Sequence, residues 1–102
     1  SRLQDPWQPA LLDLVACVTA AAGAAGIPCG VCGEAAADPA LACVLVGLGV
    51  TSLSMHSRML RPVRAALAAH TGAVCRAAAA AARAATSPAE ARVATRDTLS
   101  RG

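Results

Sequence analysis

The sequence predicts an α/β protein that is mostly helical and carries two short parallel strands. Three observations lead there. A short apolar run at 28–32 stops in a glycine turn, a helix start follows at Asp38-Pro39, and 52–55 reads as a second short strand. The order strand, turn, helix, strand implies a parallel pair, because parallel neighbours need a crossover between them. That crossover, through a helix at 38–48, is expected to be right-handed.

The elements follow in order. Pro9 suits a first helical turn, and Leu11, Leu12, Leu14, Val15 and Val18 recur at helical spacing. This helix should fade through an Ala-Gly stretch and stop by Gly26. The strand at 28–32 comes next. Asp38 then serves as an N-cap with Pro39 in the first turn, and Leu41, Val44, Leu45 and Leu48 ride the helix until Gly47 or Gly49 ends it. After the second strand, Leu60, Val63 and Leu67 make one face of a further helix, broken at Thr71-Gly72. The stretch 74–85 is nearly all alanine, with high helix propensity and little to bury. Ser87-Pro88 with Glu90 outlines a capping box, so 86–102 reads as a C-terminal helix that frays from about Thr98.

Composition bounds the rest. The chain has 102 residues, of which 56% are apolar, but alanine dominates and Trp7 is the one aromatic. At about 25 cal/mol per Å² of buried apolar surface, alanines make a thin core. The chain is therefore expected to be a single partial domain, 1–102, marginal by itself. The net charge of +3 rests on arginine alone, because there is no lysine. The arginines are spread out and have no aromatic neighbours to stack bases on, which argues against a nucleic-acid partner. The uncharged run 14–33 is mostly Ala and Gly and contains Pro28, so a membrane span is not expected, nor is a secretory leader. Five cysteines at irregular spacing predict free, buried thiols in a reducing cytosol.

Several side chains are candidates for chemistry. Cys29 and Cys32 form a C-x-x-C, but residues three apart on a strand point to opposite faces, and no second pair of ligands has matching spacing. No metal site is expected. Cys32 closes a strand in a glycine turn, with Gly33 allowing close backbone approach. A free thiol titrates near ~8.5, so at neutral pH it can donate a proton. The competing reading is a buried structural cysteine. Glu34 is either a partner of the thiol or an arginine, or a hydrogen-bonded turn carboxylate. His56, Arg58 and Arg61 lie where a phosphate can bind, or are simply solvated. His70 sits at a helix end, which favours a cation without any function.

One set of residues is more specific. Val31-Cys32-Gly33-Glu34, with Asp38-Pro39 downstream, then Leu48-Gly49-Val50 and Leu53-Ser54-Met55, resembles the end of the phosphoenolpyruvate-binding barrel of the enzyme I family of the bacterial sugar phosphotransferase system. The resemblance runs from about 8 to 91. It departs at Thr51-Ser52, where the family commonly has acidic residues, and at Cys29.

The resemblance implies the C-terminal two β/α units of a TIM-type (β/α)8 barrel, with chemistry at the strands' C-terminal ends. It implies an enzyme that transfers the phosphoryl group of phosphoenolpyruvate to a protein histidine to drive sugar uptake, with Cys32 as the catalytic proton donor. It also implies magnesium in the complete enzyme, a cytoplasmic location and a homodimer. The arginines that bind the phosphate, the acids that bind Mg2+ and the histidine domain all lie outside this segment. The segment is expected to bind no cofactor and to be inactive alone, its partners being the rest of the barrel and the phosphohistidine domain. Open edges should expose apolar area around Val31, Val44 and Leu53, and Cys32 alone should face the open mouth. The alternatives are a non-catalytic alanine-rich helical interaction module that keeps the motif by descent, and a redox or metal module at Cys29 and Cys32.

Overall fold

The computed structural model describes residues 5–102. The element order is α1 (Pro9–Ala24), β1 (Gly30–Cys32), α2 (Glu34–Ala37), α3 (Pro39–Gly47), β2 (Ser52–Ser54), a 3-10 turn (Ser57–Met59), α4 (Leu60–Ala69), α5 (Gly72–Ala84) and α6 (Pro88–Arg101). Helices dominate, and β1 and β2 pair in parallel in the register Gly30–Ser52, Val31–Leu53, Cys32–Ser54.

Local chemistry sets the boundaries. The Asp38 carboxylate accepts from the Ala40 and Leu41 N–H groups and caps α3, with Pro39 in its first turn. Both α1 and α3 stop at a left-handed glycine, Gly26 and Gly49. In each case the N–H of the next residue returns to the helix: Ile27 to the Ala22 carbonyl, Val50 to that of Leu45. The same stop thus launches both strands. The first strand begins at Gly30, two residues later than expected. Pro28 has no N–H to give to a ladder, and Cys29 is held by the Thr51 hydroxyl instead, which accepts from the Cys29 N–H at 2.8 Å and donates to its carbonyl at 2.9 Å.

A short helix, α2, fills 34–37, where no element was expected or excluded. Two further expectations are corrected. The C-terminal helix runs to Arg101, with the Gly102 N–H bonded to the Thr98 carbonyl. Its capping box is half formed: the Ser87 hydroxyl accepts from the Glu90 N–H, but the Glu90 carboxylate accepts from Thr86.

The core gathers Trp7, Leu12, Leu41, Val44, Leu45 and Val50 with a run of alanines, Ala78, Ala79, Ala82 and Ala91. Residues 41–45 of α3 are all buried, because α3 is covered by both α5 and α6. Val44, expected to be exposed, is therefore wholly buried. Val31 and Leu53 are partly buried against the core. Exposed apolar side chains lie elsewhere, at Leu14, Val18, Ile27, Val46, Leu60 and Val93. An open apolar groove of about 660 Å³ runs between α1 and β1, lined by Leu11, Leu14, Val15, Val31, Ala35 and Leu41.

Close helix packing substitutes for large side chains. A Cβ added at Gly47 would collide with the backbone carbonyl of Cys75 on α5. Backbone cannot swing aside as a side chain does, so Gly47→Ala forces α3 and α5 apart and should cost about 1–3 kcal/mol. Gly23 is also helical, but a Cβ there meets nothing. Gly23→Ala should therefore stabilise by about 0.5–1 kcal/mol. Urea midpoints of the two variants check this pair, and equal midpoints would refute the close α3–α5 contact.

Candidate active site

The alternation of side chains along β1 and β2 sorts them onto two faces. Val31 and Leu53 turn toward the helices and the core, whereas Gly30, Cys32, Ser52 and Ser54 are exposed. One face of the sheet is thus covered and the other is bare and lined by small, mostly polar side chains. Cys32 ends β1 and Ser54 ends β2, so both stand at the C-terminal edge of the bare face. The Gly33 N–H donates to the Ser54 carbonyl at 3.1 Å, which carries the ladder one bond past the thiol.

Gly33 has φ of +90°, and a Cβ there would meet nothing. Its place in the turn is a matter of backbone conformation rather than of close approach. The two roles weighed for Glu34 concern a side chain outside the described ones. His56 is exposed, and its Nδ1 accepts from the Arg58 N–H at 3.4 Å, capping the 3-10 turn. Arg58 and Arg61 are exposed, and neither belongs to the ion pairs of the described residues, which are Arg83–Asp13 and Arg92–Asp5. His70 is half-buried, with Nδ1 shielded and lacking a hydrogen-bond partner.

The five thiols are free, and they are not uniformly buried: Cys17 and Cys32 are exposed, Cys29 is intermediate, and Cys43 and Cys75 are buried. Cys32 is therefore not alone in facing solvent. Burial, reinforced by the neighbouring Cys75 thiol, pushes the Cys43 thiol up to about 11. Such a thiol is both hidden and protonated at neutral pH, hence inert. Limited alkylation followed by peptide mass spectrometry should label Cys17 and Cys32 first, Cys29 more slowly, and Cys43 and Cys75 last. Early labelling of Cys43 would contradict the α3–α5 packing.

Among the described residues, no three His, Cys, Asp or Glu side chains converge to hold a metal ion. Cys29 and Cys32 form no such site with their neighbours. No helix among the described residues is long and apolar enough to cross a membrane.

Two arrangements are visible only in the fold. Thr51 departs from the enzyme I pattern, yet its hydroxyl fixes the Cys29 peptide. Ser54 stands opposite Cys32 in the register. The signal for the second was present in the matched alternation of Gly30-Val-Cys32 and Ser52-Leu-Ser54, but it needs the pairing to be read.

A β/α segment with one bare sheet face and an exposed thiol at a strand's C-terminal end is part of an α/β domain. The comparisons give that domain its family. The model described as PEP-utilising enzyme, PEP-binding domain, matches residues 1–71. The phosphoenolpyruvate-protein phosphotransferase of Streptomyces coelicolor is 69% identical over 100 residues, 98% of this chain and 18% of that protein. Those of Cupriavidus necator and Bacillus subtilis are 44% and 39% identical over 69% and 63% of the chain, and 12% and 11% of their own lengths. No solved structure matches the chain significantly. The chain belongs to the PEP-utilising enzyme family and spans less than a fifth of the length of these relatives.

Proposed function

We propose that this segment supplies the proton donor of a phosphoenolpyruvate-protein phosphotransferase, and that Cys32 is that donor. The observation that supports this best is the exposure of Cys32 at the C-terminal edge of the bare sheet face. When phosphoenolpyruvate gives up its phosphoryl group, the enolate of pyruvate remains. The Cys32 S–H proton passes to the methylene carbon of that enolate, the C–H bond forms, and the sulfur keeps the electron pair as a thiolate. Solvent then reprotonates it. Proton transfer by a positioned group is worth about 10²–10⁴ in rate.

The other parts of the reaction lie beyond this segment. A histidine on a separate domain takes the phosphoryl group, and arginines elsewhere hold the phosphate. The described residues offer no donor set for magnesium, so no step here runs through it. In the whole protein the bare face lines the lumen of a (β/α)8 barrel, the open edges of β1 and β2 pair with neighbouring strands, and two copies form a cytoplasmic dimer that drives sugar uptake. Because stabilisation of the transferring phosphoryl comes mainly from charges outside the segment, the chain alone does not catalyse transfer.

The test is turnover of Cys32→Ala and Cys29→Ala in the whole protein, with phosphoenolpyruvate binding measured alongside. The reading stands if Cys32→Ala is the impaired variant and binds substrate normally. It falls if Cys29→Ala is the impaired one.

A further inference from the structure

We propose that Asp38 is a positioning residue for Cys32: held by the buried Trp7 indole, it anchors the far end of the turn that leads away from the thiol and so fixes where the sulfur stands. This rests on the reading of Cys32 as proton donor and extends it to the group that keeps the thiol in place.

Little else holds that turn. Cys32 ends β1, and Gly33 follows it with φ of +90°. A glycine confines the chain less than any other residue. Next comes α2, four residues of which three are alanine. A single helical turn does not sustain itself, because its first hydrogen bond has to fix several residues at once. Its packing is thin as well. Ala36 is buried and Ala35 partly buried, and each offers the core one methyl group. On the thiol's side, the Gly33 N–H is bonded to the Ser54 carbonyl. On the other side stands Asp38, which closes α2 and opens α3.

Asp38 is fixed from two directions. One carboxylate oxygen accepts from the Ala40 N–H at 3.1 Å and the Leu41 N–H at 3.2 Å. The other accepts from the Trp7 indole N–H at 3.1 Å. Among the described side chains, this is the hydrogen bond that ties 33–38 to a distant part of the chain, 31 residues away. Trp7 is a firm anchor. It is buried, its main-chain N–H donates to the Asp5 carboxylate at 2.9 Å, and Arg92 lies over its ring while pairing with that same carboxylate. From core to thiol the path runs Trp7, Asp38, α2, Gly33, Cys32, and each link is a hydrogen bond or main chain.

A proton donor works only within hydrogen-bond reach of the atom that takes the proton. A misplacement of about 1 Å costs on the order of a hundredfold in rate. A turn released at Asp38 pivots at Gly33 and spreads the sulfur over a wider range. Protonation of the enolate slows, and substrate affinity, which rests on other groups, does not change.

The experiment uses the whole protein. In Asp38→Asn the amide oxygen still caps α3, but the amide nitrogen faces the indole N–H, and two donors do not bond. This variant should speed hydrogen exchange of the 33–37 amides about tenfold, the worth of one hydrogen bond to an ionised group. The 75–82 amides of α5 should keep their rate, which separates a loosened turn from general instability. The kcat for pyruvate formation should fall about tenfold with KM for phosphoenolpyruvate unchanged. Trp7→Phe removes the same bond from the other side. It should likewise speed exchange at 33–37, and add nothing there once Asp38 is Asn. If Asp38 acts through the thiol, Asp38→Asn should cost no further turnover in a protein that already carries Cys32→Ala, whereas a merely structural loss costs the same factor in both. Unmoved exchange at 33–37 in the two variants, or an equal loss of turnover with and without Cys32, overturns the proposal. Exchange does not depend on what Cys32 does in catalysis. If Cys32→Ala keeps wild-type turnover, the donor assignment fails, and faster exchange in Asp38→Asn still upholds Asp38 as the anchor of the turn. If Cys32→Ala is impaired and exchange is unmoved, only Asp38 fails.

Discussion

Replacing Cys32 by alanine in the whole phosphotransferase should slow pyruvate formation by about a hundredfold or more, the low end of what a positioned proton donor contributes. Three features make this loss chemical rather than structural. Cys32 is exposed, so its removal opens no cavity in the core. The ladder around it is main chain, and the bond from the Gly33 N–H to the Ser54 carbonyl survives. Under the proposed function the charges that hold the substrate come from outside the segment, so phosphoenolpyruvate should bind as before. Cys29→Ala provides the contrast. Cys29 is half-buried and its peptide is held by Thr51 through main-chain atoms, so its thiol can go at little cost. Turnover and substrate binding measured on both variants decide the matter: wild-type turnover in Cys32→Ala removes the thiol from the mechanism.

Much of this architecture was legible in the sequence because the punctuation is strong. Pro9, Gly26, Asp38-Pro39 and Gly49 each have one dominant structural use, and together they bound α1 and α3 and place the two strands after them, although β1 starts two residues late. What was not legible depends on tertiary contacts. The alanines of α5 looked as if they had little to bury, yet Cys75, Ala78, Ala79 and Ala82 form a buried stripe against α3. That stripe is what covers Val44, and no periodicity in α3 could announce it, because α3 is apolar on every side. Helix α2 is four residues long with three alanines and carries no periodicity at all. At the site, the motif pointed to Cys32, whereas the pairing of Cys32 with Ser54 emerges only once β1 and β2 are in register. Cys17 was misjudged for the opposite reason. Its apolar surroundings in sequence suggested burial, but α1 turns that position to solvent along with Leu14 and Val18.

Trp7→Ala should cost about 3–5 kcal/mol, a large share of the chain's stability. Trp7 is only 2% exposed and packs in the core cluster with Leu12 and Leu41. Its indole N–H donates to Asp38 at 3.1 Å, while the other carboxylate oxygen of Asp38 caps α3. The Arg92 guanidinium lies 5.9 Å from the ring centroid and pairs with Asp5 at 3.0 Å. One side chain thus ties the entry to α1, the start of α3 and the middle of α6. Loss of a buried aromatic costs about 3–5 kcal/mol, against a total of about 5–15 kcal/mol for a domain of this size. Apart from Leu12, Leu41, Val44, Leu45 and Val50 the core cluster around Trp7 is alanine, so few large side chains can collapse into the space. Arg92→Ala is the milder change, at most about 1 kcal/mol, because the ion pair is partly exposed. Trp7→Phe should fall between them: it keeps most of the buried area but leaves Asp38 without the indole donor. Urea unfolding followed by circular dichroism ranks the three variants. A Trp7→Ala midpoint close to that of Arg92→Ala would mean that Trp7 does not anchor these helices.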